Sequence, residues 1–518
     1  APLAPRRGLL SYTTLLQHEG GVQGGRDLTF TNMKWHNLYG RLLSYQRLYE
    51  AWLKVKANKG AGGVDGISLS AFERNLEEHL QQLLSDLRAK TYKPLPVLRR
   101  YIPKKNGKKR PLGLPSIRDK VVQQTVVDIL QPLYETEFHP ASVGFRPGKG
   151  AFNAFGRIIH MMEQGYVWVY DADIKGYFDC ISHRILLRIM KRRIADRSIL
   201  SLIWQWLKAG VMENGVRSFS KAGSPQGGVI SPLLANIYLN ELDWELRRAG
   251  VQFVRYADDF LVFSKDEVGV QHGKAIVQDV MGRLKLDLSA EKTRTLHLME
   301  HRDANGRTIP ELEYLGVAIQ GWFRKRDGSW SFGLKCTPEA MKEFRGAIKE
   351  KTPKTHTLSL AALVDRVNPT IMGKAAYWAQ AAKAVQVYRT IRGQCRCATA
   401  LLGQQTAKLD SYVRQSIRRC RLSQRGGSKT YRRANMLSII YTHERLVGAG
   451  LRYAERIIRD AATGQPMADE EYLAVIRQRR EKAALAKRQR KPDDTPYWSR
   501  RAAAYERAQE RVHKFESK

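Results

Sequence analysis

The chain has 518 residues, of which 43% are hydrophobic, and its 88 Lys and Arg against 50 Asp and Glu give a formal net charge of +38. The apolar content suffices for real cores, which excludes a disordered protein, and the cationic excess predicts a polyanionic partner, most simply nucleic acid. No apolar run approaches the roughly 18–20 residues of a membrane span, and five cysteines without paired spacing argue against disulfide frameworks and structural zinc. We therefore expect a cytoplasmic protein without a membrane partner.

The first part of the chain is predicted to be helical and then to form a strongly basic hairpin. Apolar residues at three- and four-residue spacing predict helices within 38–57 and 72–89. Residues 97–113 predict a β-hairpin that turns at an Asn-Gly pair. Seven Lys or Arg and no acid lie from Arg99 to Arg110, so we expect the tip of this hairpin to be intensely positive.

Helices and short strands are predicted to alternate through the middle of the chain. Beyond about residue 336 the pattern becomes almost wholly helical, and from 411 to 458 there are eleven Lys or Arg against two Glu. The tail at 470–515 predicts a charged, solvated helix. The elements predicted in the middle are helices at 118–137, 150–164, 183–209 and 231–248, and strands at 166–174, at 253–263 as two strands around a tight turn, and at 312–319.

Three aspartates lie at the ends of predicted strands. Asp258 and Asp259 are adjacent within FVRYADDFLVF, and both can approach one site only if the chain turns there, because successive strand side chains point to opposite faces. Asp173 ends an upstream strand and would face the hairpin tip if the two strands were neighbours in one sheet. Carboxylates suit Mg²⁺, and two such ions about 4 Å apart support in-line nucleotidyl transfer. An isolated Asp-Asp pair is more often a solvated turn.

Eight short motifs follow one another along the chain: NKGAGGVDG, YIPKKNGKKRPLGLPSIRDKVVQQ, SVGFRPGKGA, YDADIKGYFD, WLKAGVMENG, GSPQGGVISPLLANIYL, YADDF and SAEKT. In this order they resemble the reverse transcriptases encoded by group II introns, over about residues 40–320. RVNPTIMGKAAYWA (366–379) resembles the maturase domain of the same family. The resemblance implies an α+β right-hand polymerase, with fingers, a palm that contains a small antiparallel sheet, and a helical thumb.

The resemblance also implies a division of the chain into five parts. These are an N-terminal extension, partly disordered (1–36), N-terminal helices and fingers (37–165), the palm with part of the fingers (166–335), a helical thumb or maturase-like domain (336–460), and a basic helical tail (461–518).

Site residues carried over from the resemblance concern the metal ions and the incoming nucleotide. Asp173, Asp258 and Asp259 would be the catalytic ligands of two Mg²⁺ ions, which Mn²⁺ could replace. Tyr177 falls where the family has an aromatic side chain against the ribose 2′-OH, although a core tyrosine is the alternative. The other candidates are Lys104 and Arg110 for the dNTP triphosphate, Gln226 for the nucleotide, and Lys292 as a proton donor to departing pyrophosphate.

The thumb is expected to supply contacts to nucleic acid phosphates. Its cations suit either a template–primer duplex or an RNA scaffold, and both kinds of binding would be salt-sensitive. The candidate nucleic-acid-binding residues are Arg414, Arg418, Arg419, Arg421 and Arg425.

The resemblance implies an RNA-directed DNA polymerase that extends a DNA primer on an RNA template with dNTPs. As a maturase it would also bind its group II intron RNA to promote splicing and retrohoming, and no second protein is implied. Two alternatives stay open: a free-standing relative used in anti-phage defence or DNA repair, and a non-enzymatic RNA-binding splicing cofactor. No His-Asn-His endonuclease pattern follows residue 420, so self-encoded second-strand cleavage is not expected.

Overall fold

The structure is a computed structural model, and the chain divides into two compact units, Ala1–His297 and Leu298–Lys518. No helix among the described residues is long and apolar enough to cross a membrane. The residues described are 33–103, 109–219, 222–223, 227–299, 312–324, 329–353, 358–395, 397–423 and 442–490.

The first unit mixes helices with short strands, as the sequence predicts. Its helices are α1 Leu38–Leu42, α2 Tyr45–Ala57, α3 Leu69–Arg74, α4 Leu76–Arg88, α5 Ile117–Glu135, α6 Ala151–Glu163, α7 Tyr177–Cys180, α8 His183–Lys191, α9 Arg197–Lys208, α10 Ser231–Arg248 and α11 Glu267–Leu284. Its strands are β1 Val97–Pro103, β2 Lys109–Leu114, β3 Trp168–Asp173, β4 Val211–Glu213, β5 Val216–Ser218, β6 Gln252–Tyr256, β7 Asp259–Ser264 and β8 Arg294–His297.

Capping side chains explain one difference from the prediction. The helix predicted over 183–209 is two helices, α8 and α9, because Asp196 caps the N-terminus of α9. Its Oδ1 accepts hydrogen bonds from the backbone N–H groups of Ser198 and Ile199, at 2.9 and 3.4 Å. Aspartate in this position satisfies amide groups that a helix N-terminus otherwise leaves unpaired.

Two four-stranded sheets lie in the first unit, in the orders β2-β1-β4-β5 and β6-β7-β3-β8. The predicted basic hairpin is confirmed as the antiparallel pair β1–β2, whose turn lies outside the described residues. Every pairing in the second sheet is antiparallel. One face of that sheet, which includes Ala172 and Phe260, packs into the main hydrophobic core with helical residues such as Trp52 and Leu239.

The second unit has a short sheet and then helices, so the predicted change to helix after about residue 336 is confirmed. The strand predicted over 312–319 is two strands, because Leu315 and Gly316 form a turn with φ of 48° and 71°. The strands are β9 Leu312–Tyr314, β10 Val317–Arg324, β11 Ser329–Cys336 and β12 Cys397–Ala398, in the order β12-β11-β10-β9. The helices are α12 Pro338–Lys351, α13 Leu360–Arg392, α14 Ala400–Ser423, α15 His443–Gly448, α16 Ala454–Thr463 and α17 Asp469–Arg490.

Asp410 on α14 caps the N-terminus of α16 inside the second unit. Its Oδ1 accepts a hydrogen bond from the N–H of Ala454 at 2.8 Å, and its Oδ2 accepts one from the N–H of Glu455 at 2.9 Å. Burial raises the pKa of this carboxyl to about 7, against the opposing effects of these two hydrogen bonds and of Arg414. The folded chain therefore keeps a proton that the unfolded chain has already released.

We expect the free energy of unfolding of the wild type, minus that of Asp410→Asn, to fall as the pH rises from about 4 to about 7. Below the unfolded-state pKa both states hold the proton, and above the folded-state pKa neither does, so the difference is level on both sides. In between it falls by at most about 1.4 kcal/mol per pH unit. Urea unfolding of both proteins across this range measures the effect, and a difference that is independent of pH contradicts it.

Candidate active site

Acidic side chains gather on one face of the sheet β6-β7-β3-β8. The register of β3 and β7 pairs Asp173 directly with Asp259, and Ala172 with Phe260. Because side chains alternate along a strand, Asp171, Asp173 and Asp259 share the face opposite to Ala172 and Phe260. The two strands are thus neighbours, which is the condition under which the sequence places Asp173 opposite the hairpin tip, and their pairing opposes two carboxylates that would repel each other if both were ionised.

Asp258 occupies the turn between β6 and β7. Tyr256 pairs with Asp259, so the loop consists of Ala257 and Asp258 alone. Ala257 has φ of 61°, a left-handed conformation of the kind that two-residue hairpin turns require. Such a conformation costs a residue other than glycine about 1–3 kcal/mol, so the surrounding structure must hold it in place.

Arg255 supports this turn from inside the protein. Its Nη1 donates to the Ala257 carbonyl oxygen at 2.8 Å and to Asn236 Oδ1 at 3.0 Å. Its Nε and Nη2 donate to the two carboxylate oxygens of Asp243 at 2.8 and 2.6 Å. The side chains of Arg255 and Asp243 are both 0% exposed. The bidentate ion pair therefore fixes the guanidinium, and the guanidinium fixes the carbonyl next to Asp258.

The segment that contains Gly144 closes the other side of the turn. Asn236 Nδ2 donates to the Gly144 carbonyl oxygen at 2.9 Å, so one amide side chain links Gly144 to Arg255. A Cβ atom at Gly144 would lie 2.4 Å from the Ala257 nitrogen, which no side chain tolerates. The Val143 N–H also donates to the Arg255 carbonyl oxygen at 2.8 Å. Sequence reasoning placed Gly144 in a motif but did not find this contact.

Burial and mutual repulsion raise the pKa values of the acids. Burial raises the pKa of Asp259 to about 8, and the charges of Asp171, Asp173 and Asp258 act in the same direction. Burial, and then Asp173, raise the pKa of Asp258, while the charge of Arg110 opposes them. The protein thus gathers acidic groups where burial and their neighbours disfavour the ionised form.

Two cations from the β8 edge partly neutralise the acids. Lys292 Nζ donates to Asp173 Oδ2 at 2.8 Å, a bond that raises the pKa of Lys292. Arg294 Nε donates to Asp171 Oδ2 at 3.2 Å, although burial still raises the pKa of Asp171. The sequence singled out Lys292 but not Arg294, whose position directly opposite Asp171 depends on the pairing of β3 with β8.

Arg110 is the member of the predicted dNTP-binding pair that the structure describes. It lies on β2 opposite Ile102, is exposed, and is close enough to Asp258 for its charge to lower the pKa of that carboxyl. Lys104 and Gln226 lie outside the described residues. The structure therefore brings one predicted triphosphate ligand, Arg110, close to the acids. The roles of Lys104 and Gln226 stay predictions.

Comparison with known proteins identifies the family. Residues 102–319 match the family described as reverse transcriptase (RNA-dependent DNA polymerase). Protein YkfC of Escherichia coli (strain K12) is 35% identical over 293 residues, which are 48% of this chain and 77% of YkfC. The chain belongs to the reverse transcriptase family.

Group II intron proteins are among the relatives of this reverse transcriptase. The group II intron-encoded protein LtrA of Lactococcus lactis subsp. cremoris is 37% identical over 276 residues, which are 53% of this chain and 45% of LtrA. The chain is therefore a group II intron-like member of this family of RNA-directed DNA polymerases. Among solved structures, a partial Cas6-RT-Cas1–Cas2 complex is 24% identical with a TM-score of 0.32, over 48% of this chain and 42% of that one.

The aromatic residue predicted to lie against the sugar of the incoming nucleotide is buried in this reverse transcriptase. Tyr177 is 1% exposed, and its hydroxyl donates to the Ala235 carbonyl oxygen on α10 at 2.6 Å. This is the core tyrosine that the sequence left as the alternative, and its enclosed ring cannot reach a nucleotide in this conformation.

Phe178, the next residue, is the aromatic side chain on this turn that is only half-buried. Its ring centroid lies 6.3 Å from that of Phe145 in an edge-on arrangement, and Phe145 is in turn 6.5 Å from the ring of Tyr256. These rings lie beside the hairpin turn that carries Asp258. Sequence reasoning missed Phe178 because the motif presents two adjacent aromatic residues and does not say which one turns inward.

The predicted thumb arginines differ in their surroundings. Arg414 is half-buried and lies over the ring of Tyr453, with 5.6 Å from its Cζ to the ring centroid. Arg419 is exposed, and its Nε donates to the Gln415 carbonyl oxygen at 3.3 Å. Of the others, Arg418 is half-buried, and the side chains of Arg421 and Arg425 are outside the described residues. Arg414 therefore packs within the second unit, whereas Arg419 is accessible to a phosphate.

The donor set at the acidic site suits a hard divalent cation. Within the described part of the chain, no three His, Cys, Asp or Glu side chains converge closely enough to hold one metal ion together. Asp173, Asp258 and Asp259 nevertheless offer only carboxylate oxygens, and burial together with the charges of neighbouring acids raises the pKa of Asp258 and Asp259. Oxygen donors are what Mg²⁺ prefers, and a divalent charge would relieve their repulsion.

Proposed function

We propose that this chain extends the 3′-OH of a DNA primer on an RNA template with dNTPs, at the acid-bearing ends of β3 and β7. The observation that carries the proposal is the direct pairing of Asp173 with Asp259, beside Asp258 in the turn, in a chain of net charge +38. Polyanionic substrates explain the surplus of cations. The three acids are suited to hold the divalent metal ions that phosphoryl transfer uses.

Asp173, Asp258 and Asp259 would hold two Mg²⁺ ions, or Mn²⁺ in their place, and these ions would stabilise charge on the attacking and leaving oxygens. Arg110 is close enough to Asp258 for its charge to lower the pKa of that carboxyl, and it is suited to bind the triphosphate together with Lys104. Gln226 would contact the nucleotide. Lys292, already bonded to Asp173, holds a proton within the site and is suited to protonate the departing pyrophosphate.

We assign the parts of a right hand to the observed elements. The hairpin β1–β2 belongs to the fingers, the sheet β6-β7-β3-β8 is the palm, and the helices of 336–460 are the thumb. Residues 366–379, which resemble a maturase segment, lie within α13. The N-terminal extension is 1–36 and the basic tail is 461–518.

We further propose a maturase role, in which the chain binds group II intron RNA in the cytosol and promotes splicing and retrohoming. The 37% identity to an intron-encoded protein supports this partner. The cations of 411–458, among them the exposed Arg419, are suited to RNA phosphates.

Primer extension on an RNA template tests the enzymatic part. The purified chain should extend an annealed DNA primer with dNTPs and Mg²⁺, and EDTA should stop the reaction. A parallel measurement of RNA binding keeps the result interpretable. If the chain binds RNA but extends no primer with either Mg²⁺ or Mn²⁺, the proposal fails in favour of a non-enzymatic RNA-binding splicing cofactor.

Phe178→Ala is expected to weaken discrimination against ribonucleotides by about tenfold to a hundredfold, because it removes the accessible ring beside the site. Tyr177→Phe removes only the hydroxyl bonded to Ala235, so it should cost about 1 kcal/mol of stability and leave sugar selection unchanged. The measurement is kcat/KM for dNTP against rNTP. Changed selection in Tyr177→Phe together with unchanged selection in Phe178→Ala would return the role to Tyr177.

A further inference from the structure

A strongly basic groove lies on the first unit and shares no residue with the acidic site. It has a volume of about 970 Å³. None of the described residues that line it is acidic. Its charged lining residues are Lys34, Arg184, Arg188, Lys191 and Arg197.

Helix α8 supplies three of these cations from one face. Arg184, Arg188 and Lys191 are exposed at positions i, i+4 and i+7, whereas Leu186 and Met190 on the opposite face are buried. With a rise of 1.5 Å per residue, the three cations extend along about 10 Å of the helix. The groove therefore presents a row of positive charge and not a single cationic point.

The backbone fixes the other edge of the groove. The N–H of Trp35 donates to the Arg193 carbonyl oxygen at 2.7 Å, and the N–H of Ala195 donates to the Trp35 carbonyl oxygen at 3.0 Å. These two bonds hold the segment that contains Lys34 against the chain between α8 and α9. Lys34 and Arg197, the first residue of α9, thus add to the row on a defined surface.

In the part of the chain that the structure describes, the groove cations differ from their neighbours in having no acidic partner. Arg192 and Arg193, which follow α8 directly, form ion pairs with Glu241 and Glu137. Within the described residues no ion pair forms at any of the five groove cations. Uncompensated like charges repel one another, so an anion that enters the groove gains energy from all of them.

The geometry favours a nucleic acid over other anions. A duplex carries a negative charge about every 1.7 Å of its axis, which suits a row of cations better than a single phosphate does. Three of the five cations are arginines, which bind phosphate through two parallel hydrogen bonds. A membrane surface would require protruding apolar side chains, but Leu187, Leu200 and Trp204 in the groove are buried or half-buried.

We propose that this groove binds the phosphate backbone of a structured RNA, as a second nucleic-acid surface in addition to the acidic site. The choice of RNA as the partner rests on the proposed function, but binding at the groove does not depend on polymerisation. The partner would be a base-paired stem held by its backbone, without readout of sequence.

The test compares the full-length wild type with the triple variant Arg184→Gln, Arg188→Gln and Lys191→Gln. The probe is a base-paired RNA stem closed by a loop, with no primer end, and its affinity is measured over a range of KCl concentrations. We expect the variant to bind at least about tenfold more weakly, with the slope of log affinity against log salt reduced by about 2–3. Extension of a short primer–template should stay near the wild-type rate.

The matched control is Lys342→Gln, Arg345→Gln and Lys349→Gln on α12. It removes the same charge from exposed helical positions, but near Glu339, Glu343 and Glu350. Wild-type RNA affinity in the first variant, or an equal loss in the control, overturns the proposal. So does a loss of binding to vesicles of anionic lipid without a loss for RNA. If neither the wild type nor the variants extend the primer, but RNA affinity falls in the groove variant and not in the control, the proposed function fails and the proposal for the groove is still supported.

Discussion

Asp258→Asn is expected to lower the rate of primer extension by about a thousandfold or more, since an anionic ligand worth several kcal/mol in the transition state is lost. The same change should leave the free energy of unfolding unchanged or raise it. Burial and Asp173 raise the pKa of Asp258, which means that its ionised form opposes folding at neutral pH. Loss of activity with retained stability would separate a catalytic role from a structural one.

Asp279→Asn is the matched control for this experiment. Asp279 forms an exposed i,i+4 pair with Arg283 on α11. Its replacement removes the same charge from a residue to which no role in the acidic site is assigned. Surface pairs of this kind contribute at most about 1 kcal/mol. Single-turnover extension and urea unfolding of both variants supply the comparison. An Asp258→Asn enzyme that keeps most of the wild-type rate contradicts the assignment.

The arrangement of the acids could be predicted because local rules determine it. Apolar residues on both sides of Asp258 and Asp259 predict two strands, and the period of two fixes which side chains share a face. Pairing of β3 with β7 then needs only the assumption that the two strands are neighbours. The register of Asp173 with Asp259 confirms that assumption.

The choice between Tyr177 and Phe178 could not be predicted in the same way. Gly176, with φ of 58°, turns the chain before α7 and decides which of the two rings enters the core. Sequence spacing alone does not give that rotation. The strand predicted over 312–319 failed for a related reason, although Gly316 within a strand pattern was a signal for a turn.

The support of the turn that carries Asp258 could not be predicted from the sequence either, because it joins residues from separate elements of the chain. Arg255 on β6 contacts Asp243 and Asn236 on α10, and Asn236 contacts Gly144. Taken alone, each of these residues would be interpreted as an ordinary member of its helix, strand or loop. Only the folded chain shows that they meet at the Ala257 carbonyl, next to the acid that the sequence did identify.

Arg255→Met is expected to lower the free energy of unfolding by about 3–5 kcal/mol, because it leaves the Asp243 carboxylate buried without its partner. Primer extension should also fall, since the Ala257 carbonyl and Asn236 lose the donor that they share. The exposed pair of Arg283 and Asp279 supplies the control, where Arg283→Met should change stability by at most about 1 kcal/mol. Urea unfolding measures the difference between the two sites.

The double variant Arg255→Met with Asp243→Leu separates stability from positioning. Replacing both members of a buried pair with apolar side chains is often neutral or stabilising, so much of the lost stability should return. Activity should not return with it, because no donor then holds the Ala257 carbonyl and its left-handed conformation beside Asp258. If extension recovers in step with stability, Arg255 serves only the core; if the fold recovers and extension does not, the ion pair positions the turn that carries Asp258.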